Sequence, residues 1–348
     1  MDRREKRRVG PDRCALLGLF ACMETGPAHA AGPMYYLHSF GARGSTIASL
    51  TWGLFILSIT VVAVIAVLVI GGVFSRRDPT PRTIGMPVPV TRGEGGLPWI
   101  YGGLILTAVI LAAFVIWTVA AMASISAPPA KPRVSIDIIG HQWWWELRYH
   151  DGDISRSFVT ANEIHIPVGE PVGLKLTSGD VIHSFWVPAL SGKTDLIPGR
   201  TNDTWIEADK PGVYRGQCSE YCGQQHAHMA IKLIADPPDK FRQWWDNQLQ
   251  PAPAPAGKKA EAGEKQVLMR CGICHTVRGT PAGGQVGPDL THLMSRTTIA
   301  ANTLPNTPGY LSGWIADPQH VKPGNRMPRL DLSGSDLAAI RSYLLTLK

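Results

Sequence analysis

Two long, uncharged apolar runs constrain this chain more than any other feature. Ile47–Ile70 and Trp99–Ile125 contain no Asp, Glu, Lys or Arg and are dominated by Ile, Val, Leu and Ala. At ~1.5 Å of rise per residue the first run reaches about 36 Å, enough to cross a ~30 Å hydrocarbon core with some tilt. Core helices of soluble proteins carry a polar stripe at this length; these runs have none. Trp52, Trp99 and Tyr101 stand near span ends, where interfacial aromatics collect. The runs predict a transmembrane hairpin over residues 45–126, with spans at about 47–70 and 99–125. Such a share of lipid-facing length fits 18% charged and 45% apolar residues, a balance poor in charge for a soluble protein.

The short loops orient the hairpin. Arg76, Arg77, Arg82 and Arg92 lie between the spans, whereas the stretch just before the first span has only Arg43. The excess of arginine places the Gly71–Pro98 loop in the cytoplasm and everything after Ala127 on the other side. The first thirty residues agree. Met1–Arg13 is basic, Cys14–Met23 is apolar, and Ala28-His29-Ala30 is a small-residue cleavage signal, so residues 1–30 read as an export signal. A short uncleaved helix is the alternative, and Leu19-Phe20-Ala21-Cys22 also loosely resembles a lipidation box. The net charge of +7 owes much to Arg3, Arg4, Lys6, Arg7, Arg8 and Arg13. No basic face remains to read nucleic acid, and six cysteines in 348 residues are too few for a disulfide scaffold.

Proline marks the remaining boundaries. Ala127–Pro132 ends the second span. Pro251–Lys259 opens a Pro/Ala linker, read over residues 251–263 as extended and semi-rigid. Between them, residues 133–250 read as β: Val134–Ile138, Glu163–Pro167, Val172–Leu176, Thr204–Glu207 and Ala230–Ile234 alternate or carry β-branched runs. Many short strands at this spacing predict a small sandwich or barrel, with a short helix at Phe241–Leu249. Residues 264–348 read as helical. Ser333 and Asp336 suggest a capping box, and Leu337, Ile340, Leu344 and Leu347 form an apolar stripe.

The run Cys218–Met229 gathers two thiols, two imidazoles and a thioether in twelve residues, and His183 lies upstream at the end of a predicted strand. Thiolate, imidazole and thioether together favour copper over hard cations. A structural zinc site from His183, Cys218, Cys222 and His226, or a disulfide in an oxidising compartment, stays open on these residues alone.

The second chemical motif is Cys271-Gly272-Ile273-Cys274-His275, the C-x-x-C-H signature of covalent haem c. Its thiols add to the haem vinyl groups and its imidazole becomes an axial ligand. A thioredoxin-like redox pair is the alternative, disfavoured by the following histidine and the lack of a βαβ pattern. Met327, in the loop Lys322–Pro328, is the candidate sixth ligand; Met269 and Met294 are badly placed.

His183–Pro188, Lys193–Arg200, Gly140–Trp145 and the Cys218–Met229 run, together with both spans, resemble subunit II of haem–copper cytochrome oxidases over about residues 45–250. That resemblance implies a cupredoxin-like barrel holding a dinuclear copper A centre. Cys218 and Cys222 would bridge two coppers, His183 and His226 would each cap one, and Met229 would be a weak axial ligand. The Glu220 carbonyl would serve the other copper, and its carboxylate resembles one reaching a magnesium ion shared with subunit I. The family spacing selects His226 over His228. Trp143 resembles the tryptophan through which electrons enter, although Trp144 stands where the family often has tyrosine. Asp195 and Arg200 resemble residues at the subunit I contact, with an ion-paired surface turn as the alternative. Residues 264–348 resemble small bacterial class I cytochromes c. The fusion resembles caa-type oxidases, whose subunit II carries its own cytochrome c domain.

The expected protein is thus a multidomain subunit of a bacterial inner-membrane oxidase, with its copper and haem domains in the periplasm. It would take electrons from an external cytochrome c or another periplasmic donor and pass them through haem c and copper A to subunit I. Dioxygen would be reduced there with proton pumping, and subunit III would be a further partner. Two rival readings are a copper A-containing nitric oxide reductase and a membrane-tethered haem carrier with structural zinc. A quinol oxidase subunit would lack the copper ligands.

Overall fold

The computed structural model describes residues 34–75 and 96–348. The expected export signal with Cys14 and Cys22, and the inter-span arginines Arg76, Arg77, Arg82 and Arg92, lie outside the described residues. The two apolar runs form helices α1 (Ala42–Phe74) and α2 (Gly96–Ile125), both long enough to cross a membrane. Each starts a few residues before its apolar run. Trp205 of the following domain holds the ends of both helices. Its indole N–H donates to the Ile125 carbonyl (3.1 Å), and its own carbonyl accepts from Arg43 (2.9 Å), whose guanidinium lies over the indole ring.

The next ten strands are β1 (Ser135–His141), β2 (Trp144–His150), β3 (Phe158–Ala161), β4 (Glu163–Pro167), β5 (Val172–Ser178), β6 (His183–Phe185), β7 (Thr194–Leu196), β8 (Asn202–Ile206), β9 (Gly212–Gln217) and β10 (Ala230–Asp236). One sheet has the order β3-β2-β1-β5-β8 and the other β4-β10-β9, while β6 and β7 pair apart. β1 runs parallel to β5, and β4 parallel to β10; the other pairs are antiparallel. Alternate residues of β1 are buried, so Ile136 and Ile138 meet Leu147, Ile164, Leu174 and Leu176 in the core. The expected cupredoxin-like β domain is present as this two-sheet sandwich. Helix α3 (Pro238–Leu249) closes it by setting Trp245 edge-on against Tyr149 and Phe158.

Several strands were not legible. β2 breaks strict alternation because it buries Trp145, Glu146 and Leu147 in succession, and Glu146 is held inside by Arg148 (2.6 Å) and His141 (3.0 Å). β6, β7 and β3 are too short to show a period, and β9 carries glycines within its span. His183 opens β6 rather than ending a strand.

The last domain comprises α4 (Lys258–Arg270), the ribbon β11 (Thr298–Ile299) and β12 (Leu304–Pro305), α5 (Pro308–Ala316), α6 (Pro318–Val321) and α7 (Gly334–Leu344). α7 starts as expected, with the Ser333 hydroxyl accepting from the Asp336 N–H. The linker does not extend over 251–263. Helix α4 starts at Lys258, because the segment from Lys258 to Arg270 has few helix breakers and buries Ala260, Gly263 and Val267 on one side. Nor does the linker hold the domains apart. Ala252 N–H donates to the Arg278 carbonyl (2.9 Å).

The two domains are docked on each other. The buried Glu163 carboxylate of β4 accepts from the backbone N–H groups of Thr297 and Thr298 (3.0 Å each) and from both hydroxyls (2.6 and 2.9 Å). Arg296 donates across the same boundary to Thr160 (3.2 Å). Carboxylates accepting several N–H bonds are among the stronger polar contacts.

Candidate functional site

Strands β9 and β10 are antiparallel with Gln217 opposite Ala230, so the residues just beyond them, Cys218 and Met229, meet at the sandwich end. The Cys218 N–H donates to the Met229 carbonyl (3.0 Å) and closes the loop, and the Ser219 N–H donates to the Ser184 carbonyl of β6 (3.0 Å). This second bond brings His183 to the thiols. Cys218 Sγ lies 3.7 Å from Cys222 Sγ, 3.9 Å from His183 Nδ1 and 3.3 Å from the Glu220 carbonyl oxygen. Cys222 Sγ lies 3.5 Å from His226 Nδ1 and 3.9 Å from Met229 Sδ. His228 is turned aside, its Nδ1 2.7 Å from Gln225 Oε1. The Glu220 carboxylate is exposed and accepts from the Tyr221 N–H (3.2 Å).

The surroundings prepare these donors. A hydrogen bond from Cys222 pushes the Cys218 thiol down to about 4, against burial and with help from His183. Cys222 is raised in turn, because the two sulfurs share one proton. Asp180, three residues before His183, accepts from His183 Nε2 (2.8 Å), the Gln142 N–H (2.7 Å) and the Val181 N–H (2.8 Å). Burial alone would raise the Asp180 carboxyl, but these bonds hold it below its ordinary value. The contact fixes the His183 ring and leaves Nδ1 for a metal, as a carboxylate behind a ligating histidine does. Gly140 of β1 is what lets the ring sit there, since a Cβ would fall 2.7 Å from His183 Cδ2.

The haem motif follows helix α4. His275 N–H donates to the Cys271 carbonyl (2.9 Å), which turns both thiols and the imidazole toward one space. His275 Nδ1 donates to the Pro288 carbonyl (2.7 Å), leaving Nε2 free, and burial lowers the imidazole below its usual range. Gly287 is required beside it, for a Cβ would lie 2.6 Å from the His275 ring. The space is a cavity of about 400 Å³ lined mainly by apolar side chains, with Cys271, Cys274, His275 and Met327 on its wall. Met327 is held by its N–H on Asn325 Oδ1 (2.8 Å) and its carbonyl on Gln319 (2.7 Å).

The residues at both sites suit the groups their motifs imply. Five soft or borderline donors and one carbonyl oxygen converge at the first site, and an apolar slot bounded by two thiols, an imidazole and a thioether suits a porphyrin. Buried Arg296 lines the slot with its Nε unpartnered, which suits the anionic edge of a haem.

Trp143 belongs to both sites. Its indole N–H donates to the Cys222 carbonyl (3.0 Å), and the same residue lines the haem cavity. It is only 8% exposed, so it is not a free surface aromatic. Asp195 and Arg200 are exposed, and among the described residues they form no ion pair with each other. Asp180 escaped sequence reading, and Gly140, Gln142 and Gly287, although within motif runs, were given no role there. The i, i+3 spacing of Asp180 and His183 was the one available signal.

Both globular domains are similar to known families. Residues 152–235 match the family of the cytochrome c oxidase subunit II periplasmic domain, and residues 260–348 match the cytochrome c family. Curated relatives include cytochrome c oxidase subunit 2 of Alkalihalophilus pseudofirmus, 43% identical over 62% of this chain and 61% of that protein. The Bacillus sp. PS3 protein of the same name is 32% identical over 70% of this chain and 72% of its own length. The match thus spans about three fifths of the first relative and nearly three quarters of the second. Among solved structures, the periplasmic domain of subunit II of cytochrome oxidase from Bradyrhizobium japonicum is 34% identical, covering 34% of this chain and 95% of that one at a TM-score of 0.32.

Proposed function

The chain belongs to the cytochrome c oxidase subunit II family, and from that premise we propose that it is the electron-accepting subunit of a caa-type terminal oxidase in a bacterial inner membrane. It takes electrons from an external cytochrome c or another periplasmic donor and delivers them, through haem c and copper A, to the dioxygen-reducing subunit I. Proton pumping belongs to that complex, which also includes subunit III. Haem c and copper A, when bound, supply reversible one-electron exchange.

The chain's own residues do the holding. Cys218, Cys222, His183, His226, Met229 and the Glu220 carbonyl would hold the copper pair, and the Glu220 carboxylate would be left for magnesium at the subunit I contact. Cys271 and Cys274 would attach the haem, and His275 and Met327 would hold its iron. A His/Met pair raises the potential into the range of electron carriers. Trp143 lies between the two sites and is the conducting contact. Burial of the thiols excludes water, so ligands rearrange little on electron gain.

The observation that carries this reading is the convergence of Cys218, Cys222, His183, His226 and Met229 within a few ångströms, beside a slot bearing the haem motif. Electron paramagnetic resonance of the metallated chain should show one unpaired spin shared by two copper nuclei. A spin on one nucleus, or one zinc per chain, would overturn it. Dioxygen and nitric oxide uptake by the purified complex separates oxidase from nitric oxide reductase.

A further inference from the structure

The haem-bearing domain is fastened to the copper-ligand loop by the very segment that bears Met327. Lys322 is 2% exposed, and its Nζ donates to the carbonyls of Trp143 (2.8 Å), His228 (2.9 Å) and Ala300 (3.3 Å). Two of those acceptors belong to the copper domain. Trp143 bonds to Cys222 through its indole, and His228 adjoins Met229. No carboxylate lies within ion-pair distance of Lys322 among the described residues. A buried lysine without a counter-ion is costly, and what offsets that cost here is its hold on the Trp143 and His228 carbonyls across the domain boundary; the Ala300 carbonyl also accepts from the Thr303 hydroxyl (2.7 Å).

Neighbouring contacts run in the same direction. Gln225 donates to the Pro323 carbonyl (2.9 Å), and Arg326 lies 3.5 Å from Asp180, the carboxylate behind His183. Lys322, Pro323 and Arg326 thus reach the ligand loop, the β1–β2 turn that carries Trp143 and the carboxylate behind His183, while Met327 beside them faces the haem slot.

We propose that Lys322 is the positioning residue for electron transfer between the two centres, its Nζ locking the methionine-bearing loop on to the backbone of Trp143 and His228. The proposal rests on the reading that the two centres exchange electrons. One electron leaves the reduced haem and one is gained by the oxidised copper pair, with no proton moved between them. Lys322 stands on the wall of the haem cavity, but its Nζ is engaged by backbone carbonyls. It sets the separation and the contact through Trp143.

The test uses the assembled complex carrying the full chain with haem and copper bound. Haem c is reduced by a light-triggered reductant, and the haem and copper absorption bands are followed in time. Transfer in the unaltered protein tests the function itself, so its failure there is distinguishable from failure of this proposal. In Lys322→Met the Trp143 and His228 carbonyls lose the Nζ donor, while the Ala300 carbonyl keeps the Thr303 hydroxyl (2.7 Å). Loss of one such bond from a charged donor corresponds to about a tenfold change in an equilibrium, so transfer should slow by about tenfold or more. The optical and magnetic signatures of each centre should stay intact, and the haem-to-copper distance distribution from pulsed magnetic resonance should broaden. An unchanged rate with an unchanged distribution overturns the proposal. So does loss of copper or haem from the variant, which would make Lys322 an assembly residue. If Lys322→Met does not accumulate, Gln225→Ala removes the donor to Pro323 and should slow transfer in the same direction; unaltered kinetics there refute the latch.

Discussion

Removing the Glu163 side chain should unfasten the cytochrome domain. Glu163 is 3% exposed and accepts four donors from Thr297 and Thr298, with Lys232 at 3.7 Å. In Glu163→Ala the threonine hydroxyls can turn to other partners: Thr298 already meets Asn302, and Thr297 meets Lys232. The two backbone N–H groups cannot turn. Each orphaned buried donor costs about 1–3 kcal/mol, so the direct penalty is about 2–6 kcal/mol. Relief from burying a charge offsets part of it, which leaves about 1–4 kcal/mol. The assay is denaturant unfolding of the haem-loaded full chain, followed by haem absorbance for the cytochrome domain and by far-ultraviolet dichroism for the whole. The haem transition should move to lower denaturant. Glu163→Gln, which keeps one acceptor oxygen, should fall between. A Glu163→Ala shift below about 0.5 kcal/mol, the size of an ordinary surface substitution, would refute the reasoning.

Four further outcomes follow from the sites. Asp180→Asn should weaken copper binding by about 10–100-fold, as losing a partner behind a ligand does, measured by chelator competition. Gly287→Ala should displace the His275 ring, and haem yield or the axial-ligand absorption should fall; a normal spectrum would contradict the 2.6 Å approach. Met327→Ala should keep covalent haem but lose the low-spin His/Met absorption, whereas an unchanged spectrum points to another sixth ligand. Burial pushes the Lys322 amine down to about 7. The unfolded chain, with lysine near ~10.4, then binds more protons between these values, so stability relative to Lys322→Met should rise with pH from about 7 to ~10.4 and stay level below. A difference that falls across this window would refute the assignment.

What could be read in advance was what is local in sequence. Cys218, Cys222, His226 and Met229 sit in one run, as do Cys271, Cys274 and His275, and the span lengths follow from uninterrupted apolarity. Chemistry at that range survives without knowledge of topology. What escaped depends on chain crossings. Glu163 reaches Thr297, Lys322 reaches Trp143, and Arg326 reaches Asp180 only because the sandwich end and the cytochrome domain are apposed. A Pro/Ala stretch gives no hint of that, since an extended linker and a tucked one share a composition. The missed strands are equally instructive: β2 interrupts alternation to bury Glu146 against Arg148 and His141, so a polar cluster hides a core strand.

The covering of Trp143 by the Lys322–Met327 loop changes the kinetics this face can show. Two separately made proteins must find each other by diffusion, at a frequency set by abundance and salt. Here the cover arrives on the same polypeptide, so the encounter is first order and the local concentration of the cover is fixed by a short tether. A soluble competitor would have to displace a resident that never drifts away.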